Sequence, residues 1–238
     1  MKRILVLGGM HGNEQLGIEL VRSLKNQPIP GVDAIIANPR AVKSNTRFTE
    51  SDLNRSFGTE FQGTYESKRA DYIRQVARQY SLVLDFHNTM TPNNNASFIG
   101  VWGNSELLSV SAKLGLLNCI EATYDCINKF CPNTISIEIS QNDTLNSVEY
   151  WRRKLTQLLN DSERSDPEDV NLYQYLRRVT WGESEKVAAY KWRPFQAIPG
   201  DDARILGINQ PAYPIFIGSR LTEYYATLLI KKELNNEI

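Results

Sequence analysis

The sequence predicts an α/β fold: a mixed, mostly parallel sheet flanked by helices, followed by a smaller β-rich C-terminal domain. Three observations predict it. Short apolar runs of strand length alternate with segments whose apolar residues recur every three or four positions. The first of these runs are apolar throughout, as strands buried on both faces are. Near residue 160 the texture changes to the polar, proline-containing stretch NDSERSDPED, and beyond it short apolar stretches are separated by Pro and Gly (RPFQAIPGDD, GINQPAYPIFIG). A main α/β domain over residues 1–162 and a smaller β-rich domain over 163–238 are expected.

The elements read in order. Arg3 to Gly8 is a continuous apolar run stopped by Gly-Gly, hence a buried strand. After the loop GGMHGNE, residues Leu16, Leu20, Val21 and Leu24 stand at helical spacing over Gln15 to Leu24. Val32 to Ala37 reads as a strand stopped by Asn38-Pro39. Residues 65–80 place Ile73, Val76, Ala77 and Tyr80 on one helical face, Ser81 to Phe86 and Ser97 to Trp102 are strand-like, and a helix is expected at about 105–117. Thr134 to Ser140 alternates with period two: Ile135, Ile137 and Ile139 on one face, Ser136, Glu138 and Ser140 on the other. A helix over 145–159 and a closing helix from about residue 220 complete the prediction.

Bulk properties exclude several classes. Hydrophobic residues at 41% and charged residues at 23% suit a globular chain with a sizeable core. Lys+Arg and Asp+Glu both number 27, so no net charge points to nucleic acid or a membrane surface. Cys119, Cys126 and Cys131 are odd in number and lack a second pair at zinc-finger spacing; buried or half-buried thiols in a reducing cytosol are expected. The apolar run at the N-terminus is too short for a signal or a membrane span, so the expected location is cytoplasmic.

The chain has 2 histidines, and both stand at the ends of predicted strands: His11 in GMHGNE and His87 in LDFHNT. Ligands of open α/β sheets collect at the carboxyl ends of strands. Either histidine alone would more often be a hydrogen-bonded loop residue. Together, with Glu14 three positions past His11, they supply two nitrogens and a carboxylate, the ligand set of a catalytic zinc site with an open fourth position. Gly8, Gly9 and Gly12 let the backbone turn sharply beside the sheet. Glu138, on the polar side of its strand, is either a solvent-exposed glutamate or a general base. Arg47 and Arg55 lie in the polar segment NTRFTESDLNR. They suit a carboxylate clamp, and Arg47 an oxyanion donor, against the alternative of a solvated loop.

GGMHGNE, ANPRAV, NTRFTESDLNR, LDFHNT and SIEIS, in this order, resemble the aspartoacylase/succinylglutamate desuccinylase family of the zinc carboxypeptidase superfamily. The resemblance implies a zinc-carboxypeptidase-like fold and one zinc ion per chain held by His11, Glu14 and His87. It implies Glu138 as general base, Arg47 as the stabiliser of the carbonyl oxygen, and Asn54 and Arg55 as the grip on the substrate α-carboxylate. Tyr124 matches a pocket tyrosine, and Tyr224, or Tyr225 one position on, a second one. The implied activity is zinc-dependent hydrolysis of an N-acyl amino acid, N-acetyl-L-aspartate first. A desuccinylase or carboxypeptidase on the same scaffold and a non-catalytic zinc module are the alternatives. The implied partner is a small-molecule substrate, with no nucleic acid and no membrane, and analogy with such hydrolases admits a homo-oligomer. The chain departs from the family where a second arginine grips an acidic side chain: it has Asn128 there, with Lys129 beside it.

Overall fold

A computed structural model describes residues 3–101, 104–160, 169–218 and 223–233. The chain begins β1 (Ile4–Gly8), α1 (Gln15–Asn26), β2 (Val32–Ile36), α2 (Pro39–Ser44) and α3 (Tyr65–Ala77). It continues through β3 (Leu82–Thr89), β4 (Ala96–Ile99), α4 (Ser105–Leu114), β5 (Asn118–Glu121), α5 (Ile127–Phe130), β6 (Thr134–Ser140) and α6 (Val148–Asn160). The C-terminal part holds β7 (Asn171–Thr180), α7 (Trp181–Lys186), α8 (Gly200–Ile205), β8 (Tyr213–Ile215) and β9 (Tyr224–Lys232).

The described strands form one sheet in the order β2-β1-β3-β6-β4-β5-β7-β9-β8. The pairs β1–β2, β1–β3, β3–β6, β4–β5 and β5–β7 are parallel, while β4–β6, β7–β9 and β8–β9 are antiparallel. The sheet is therefore mixed and mostly parallel, with helices on both faces. Strand alternation sorts the core. Ile4, Val6, Leu84, Phe86 and the three isoleucines of β6 pack with α1, α4 and α6, where Trp151 is fully buried. Leu5, Leu7 and Val83 face the other way, onto Ala70, Ile73 and Ala77 of α3 and Ile127 of α5. Asp85, His87, Ser136 and Glu138 share that second face, because they occupy the alternate positions of β3 and β6.

Two features depart from expectation. The segment after residue 220 is strand β9 where it is described, not a helix. β7 offers it a ladder from Leu172↔Lys232 to Thr180↔Tyr224. Leu228 and Leu229 then bury on opposite faces, in separate clusters, so the apolar run needs no helical periodicity. The C-terminal part also contains two short helices, α7 and α8, around its own cluster of Val179, Val187, Trp192 and Leu228. The expected boundary between residues 162 and 163 lies outside the described residues. All three cysteines are buried free thiols, and no described helix is long and apolar enough to cross a membrane.

α1 is held close against the end of β1. A Cβ built on Gly8 would lie 2.0 Å from the carbonyl oxygen of Gly17 in α1. Gly8→Ala should therefore push α1 off the sheet and cost about 2 kcal/mol of stability, the usual scale of overpacking. Denaturant unfolding measures this, and an unchanged midpoint would contradict the packing described.

Candidate metal centre

β1 ends in a turn made possible by Gly9, whose φ of +70° suits a residue without a side chain. The turn delivers His11 and Glu14 to the carboxyl end of the sheet, beside His87 from the adjacent strand β3. All three side chains are buried. The Glu14 carboxylate lies between the imidazoles: His11 Nδ1 is 2.6 Å from Oε1 and His87 Nδ1 is 3.0 Å from Oε2. The rings are 5.2 Å apart, and one ligand atom from each residue lies within 4.8 Å of the others.

The far nitrogen of each ring is also engaged. His11 Nε2 is 3.1 Å from Asp52 Oδ1, and His87 Nε2 is 2.8 Å from Asp85 Oδ2. An imidazole that donates Nε2–H to a carboxylate presents its Nδ1 lone pair to a metal, and the carboxylate fixes ring orientation and raises basicity. The donor set of two nitrogens and a carboxylate fits a divalent ion such as zinc. Charge fits as well. Glu14, Asp52 and Asp85 bring three negative charges into a largely buried region, and with neutral imidazoles a divalent cation together with Arg47 balances them.

Burial would lower the His11 pKa, but the Glu14 charge and the Asp52 hydrogen bond outweigh it and raise the value above 6.5. His87 is raised well above 6.5 in the same way by Asp85 and Glu14. Burial opposes ionisation of Glu14, yet the two imidazoles hold its pKa down to about 2. Asp52 is likewise held below the carboxylate range by its hydrogen bond to His11 and by the nearby charges of His11, Arg47 and Arg55.

Glu138 lies level with His87 in the parallel β3–β6 register and is partly buried. Burial pushes its pKa up to about 7, offset in part by the imidazoles and reinforced by Glu14. Arg47 reaches the cluster through Asp52, with Nη2 at 3.0 Å and Nε at 3.3 Å, and its Nη1 stands 4.0 Å from Glu14. Asn54 is buried, its backbone N–H donates to Asp52, and its side-chain oxygen has no protein donor. Arg55 donates to the Asn54 carbonyl and stacks 4.1 Å over the Tyr124 ring. Tyr124 itself is 38% exposed, so its geometric tie to the site is this contact with Arg55. Tyr224, at the start of β9, has its ring 4.6 Å under the Arg178 guanidinium, and Tyr225 packs against Trp181; both of these contacts are made within the C-terminal part.

Sequence reasoning missed Asp52 and Asp85. The signal for Asp85 is the Asp-x-His spacing on a strand, which puts both side chains on one face. Asp52 had none beyond its place in a polar loop. Asn128 is buried: its Nδ2 donates to the carbonyls of Phe98 at 2.8 Å and Thr134 at 3.2 Å. Its oxygen lies 2.9 Å from Ser136 Oγ, which in turn reaches Asp85 Oδ2 at 3.1 Å. Lys129 pairs with Asp125 at 2.6 Å.

A family model described as the succinylglutamate desuccinylase/aspartoacylase catalytic domain matches residues 1–129. The chain is 28% identical to an aspartoacylase of Rattus norvegicus, over 91% of this chain and 88% of that protein. It is 32% identical over 143 residues to an N-acyl-aromatic-L-amino acid amidohydrolase (carboxylate-forming) of Xenopus tropicalis, where the match spans 53% of this chain and 46% of that protein. The fold matches a succinylglutamate desuccinylase from Chromobacterium violaceum with a TM-score of 0.73 at 16% identity, over 98% of this chain and 86% of the other. Murine aminoacylase 3 matches with a TM-score of 0.69 at 21% identity, over 97% and 95%.

A divalent ion entering between the imidazoles competes with the Nδ1 protons. Because both histidine pKa values are raised, those protons are held more firmly than on a free imidazole, and metal affinity should rise with pH. Zinc titration in weak buffer near pH 7 should release more than about one proton per ion. Affinity independent of pH between about 6 and 8 would contradict the ligand set.

Proposed function

The chain belongs to the succinylglutamate desuccinylase/aspartoacylase family, and on that premise we propose that it is a metal-dependent amidohydrolase of N-acyl amino acids, with zinc held by His11, Glu14 and His87. The observation that carries this reading is the buried His11–Glu14–His87 cluster with a carboxylate of raised pKa, Glu138, level with His87 on the next strand. The chemistry a divalent ion supplies there is Lewis acidity, which polarises an amide carbonyl and acidifies water.

The chain's own groups do the rest. Glu138 takes a proton from the attacking water at its carboxylate and returns it to the departing amide nitrogen. Arg47 donates hydrogen bonds to the carbonyl oxygen as negative charge develops on it. Arg55 and the Asn54 amide hold the α-carboxylate, with Tyr124 bracing Arg55 by its ring. Asp52 and Asp85 keep the imidazoles turned so that Nδ1 faces inward. Every group named so far lies within residues 1–162; Tyr224 would be the contribution of residues 163–238.

N-acetyl-L-aspartate is the first substrate, on the strength of the aspartoacylase relatives. A second reading, an N-acyl amino acid with an uncharged side chain, is favoured by Asn128. Its amide donors are spent on two backbone carbonyls, so it is not free to grip an acidic side chain. The Xenopus relative, named for N-acyl-aromatic amino acids, supports the same alternative.

Incubating metal-quantified protein with a panel of N-acyl amino acids, with and without chelator, should give chelator-sensitive release of the free amino acid. Glu138→Gln should keep its zinc and lose about a thousandfold in kcat; retained turnover would remove Glu138 from the mechanism. A second measurement is the pH profile of kcat/KM. Glu138 must be ionised to accept a proton, so activity falls as pH drops through its pKa. That limb should lie at or below about 7, because a bound cation favours the carboxylate further.

A further inference from the structure

Glu66 is a charged residue with no exposed surface, and nothing in the mechanism above uses it. It is the second residue of α3, where the helix N-terminus favours an anion. Its Oε1 accepts from Asn38 Nδ2 at 3.1 Å, from the Thr49 backbone N–H at 2.9 Å and from the Thr49 hydroxyl at 2.6 Å. Its Oε2 accepts from the backbone N–H groups of Glu50 and Ser51, each at 3.2 Å. The Asn38 amide cannot turn round, because its oxygen caps Ala41 N–H in α2.

Five donors therefore converge on one side chain that offers only acceptors. Burial opposes the charge, but these hydrogen bonds outweigh it and hold the carboxylate below its usual pKa. The tie is reciprocal. The Glu50 carboxylate accepts from Tyr65 N–H at 2.7 Å, and the Ser51 hydroxyl meets Thr64 Oγ1 at 3.0 Å. Residues 49–51 are thus bound to the start of α3 from both sides.

These three residues lie in the middle of the segment that supplies Arg47, Asp52, Asn54 and Arg55. Asp52 is the next residue, and it fixes His11 Nε2, the Arg47 guanidinium and the Asn54 backbone at once. Through Asn38, whose N–H donates to the Gly9 carbonyl, the same carboxylate is also tied to the turn that carries His11. Leu53 anchors the far end of the segment in the apolar core, but residues 45–50 before it are exposed, so these hydrogen bonds define the shape of that stretch.

We propose that Glu66 is a positioning residue for the substrate segment: as a buried anion it holds residues 49–51, and through them sets the placement of Arg47, Asn54 and Arg55. The inference rests on the amidohydrolase reading for what those groups bind, and on the hydrogen bonds alone for what Glu66 holds. Glu66→Gln keeps the shape of the side chain but turns an N–H2 group toward N–H donors. Thr49→Val removes a single hydroxyl donor.

The test compares both variants with the parent as full-length, zinc-loaded protein. Amide hydrogen exchange at residues 49–51 should be faster by about tenfold or more in Glu66→Gln, with β1 and β3 unchanged. kcat/KM for the preferred N-acyl amino acid should fall by about tenfold or more, chiefly through KM. Zinc affinity should fall by less than kcat/KM does, because the three ligands and the aspartates behind both imidazoles are all retained. Thr49→Val should show the same pattern to a smaller degree, and it carries the comparison if Glu66→Gln does not fold. Unchanged exchange, or faster exchange with kcat/KM preserved, overturns the inference. So does a parallel fall in zinc affinity and unfolding temperature, which would make Glu66 a general packing residue. A parent protein that cleaves no N-acyl amino acid refutes the amidohydrolase reading instead, and the exchange arm then decides what Glu66 does.

Discussion

A carboxylate buried between two imidazoles must be neutralised, and most of the polar architecture of this protein follows from how Glu14 meets that requirement. Its oxygens face the Nδ1 atoms of His11 and His87, and each ring is anchored behind by an aspartate. A buried ion lacking a partner would cost several kcal/mol. The cluster is therefore built from alternating charges, and removing any one member leaves another exposed to the same cost. The arrangement is poised between two states of similar charge: imidazoles protonated against the carboxylates, or neutral imidazoles around a divalent cation. That balance suits the cluster to a divalent cation and would link its binding to pH.

The sheet makes the cluster possible. β1, β3 and β6 are neighbours, and they bring His11, His87 and Glu138 to the same end of the sheet. The period of two along β3 sets Asp85 behind His87, and the same period on β6 sets Ser136 beside Asp85 and Glu138 beside His87. The opposite face of these strands is apolar apart from Asn88, which holds the Leu16 N–H at the start of α1, and it packs under α1, α4 and α6. Apolar packing on one face supplies rigidity, so that polar groups on the other can be held to hydrogen-bond distances. The loop from Arg47 to Arg55 has only Leu53 in the apolar core and draws further support from hydrogen bonds, to Asp52 within the segment and to Glu66 beneath it.

How much of this was legible in the sequence depends on the range of the interaction concerned. The strands with long apolar runs or clean alternation, β1, β3 and β6, stood out because both of their faces are buried or one is strictly polar. His11, Glu14 and His87 were legible because histidine is scarce here and both copies follow strands. β5, with four residues, is too short to leave a pattern, and β9 looked helical because burial on both faces erases alternation. Asp52 and Glu66 were invisible for another reason. Their meaning lies in contacts across 41 and 15 to 17 positions, in segments that otherwise look like solvated loop and exposed helix. Asn128 shows the same limit: its position suggests specificity, whereas its contacts join it to the ladder behind His87.

The central claim is that Nδ1 of His11, Nδ1 of His87 and the Glu14 carboxylate share one divalent ion. Anomalous diffraction at the zinc edge from crystals of the zinc-loaded protein tests it directly. The account predicts one strong peak per chain in contact with all three groups, with both Nε2 atoms still against Asp52 and Asp85. A peak at Nε2 of either ring, or an ion bound away from this cluster, would contradict it.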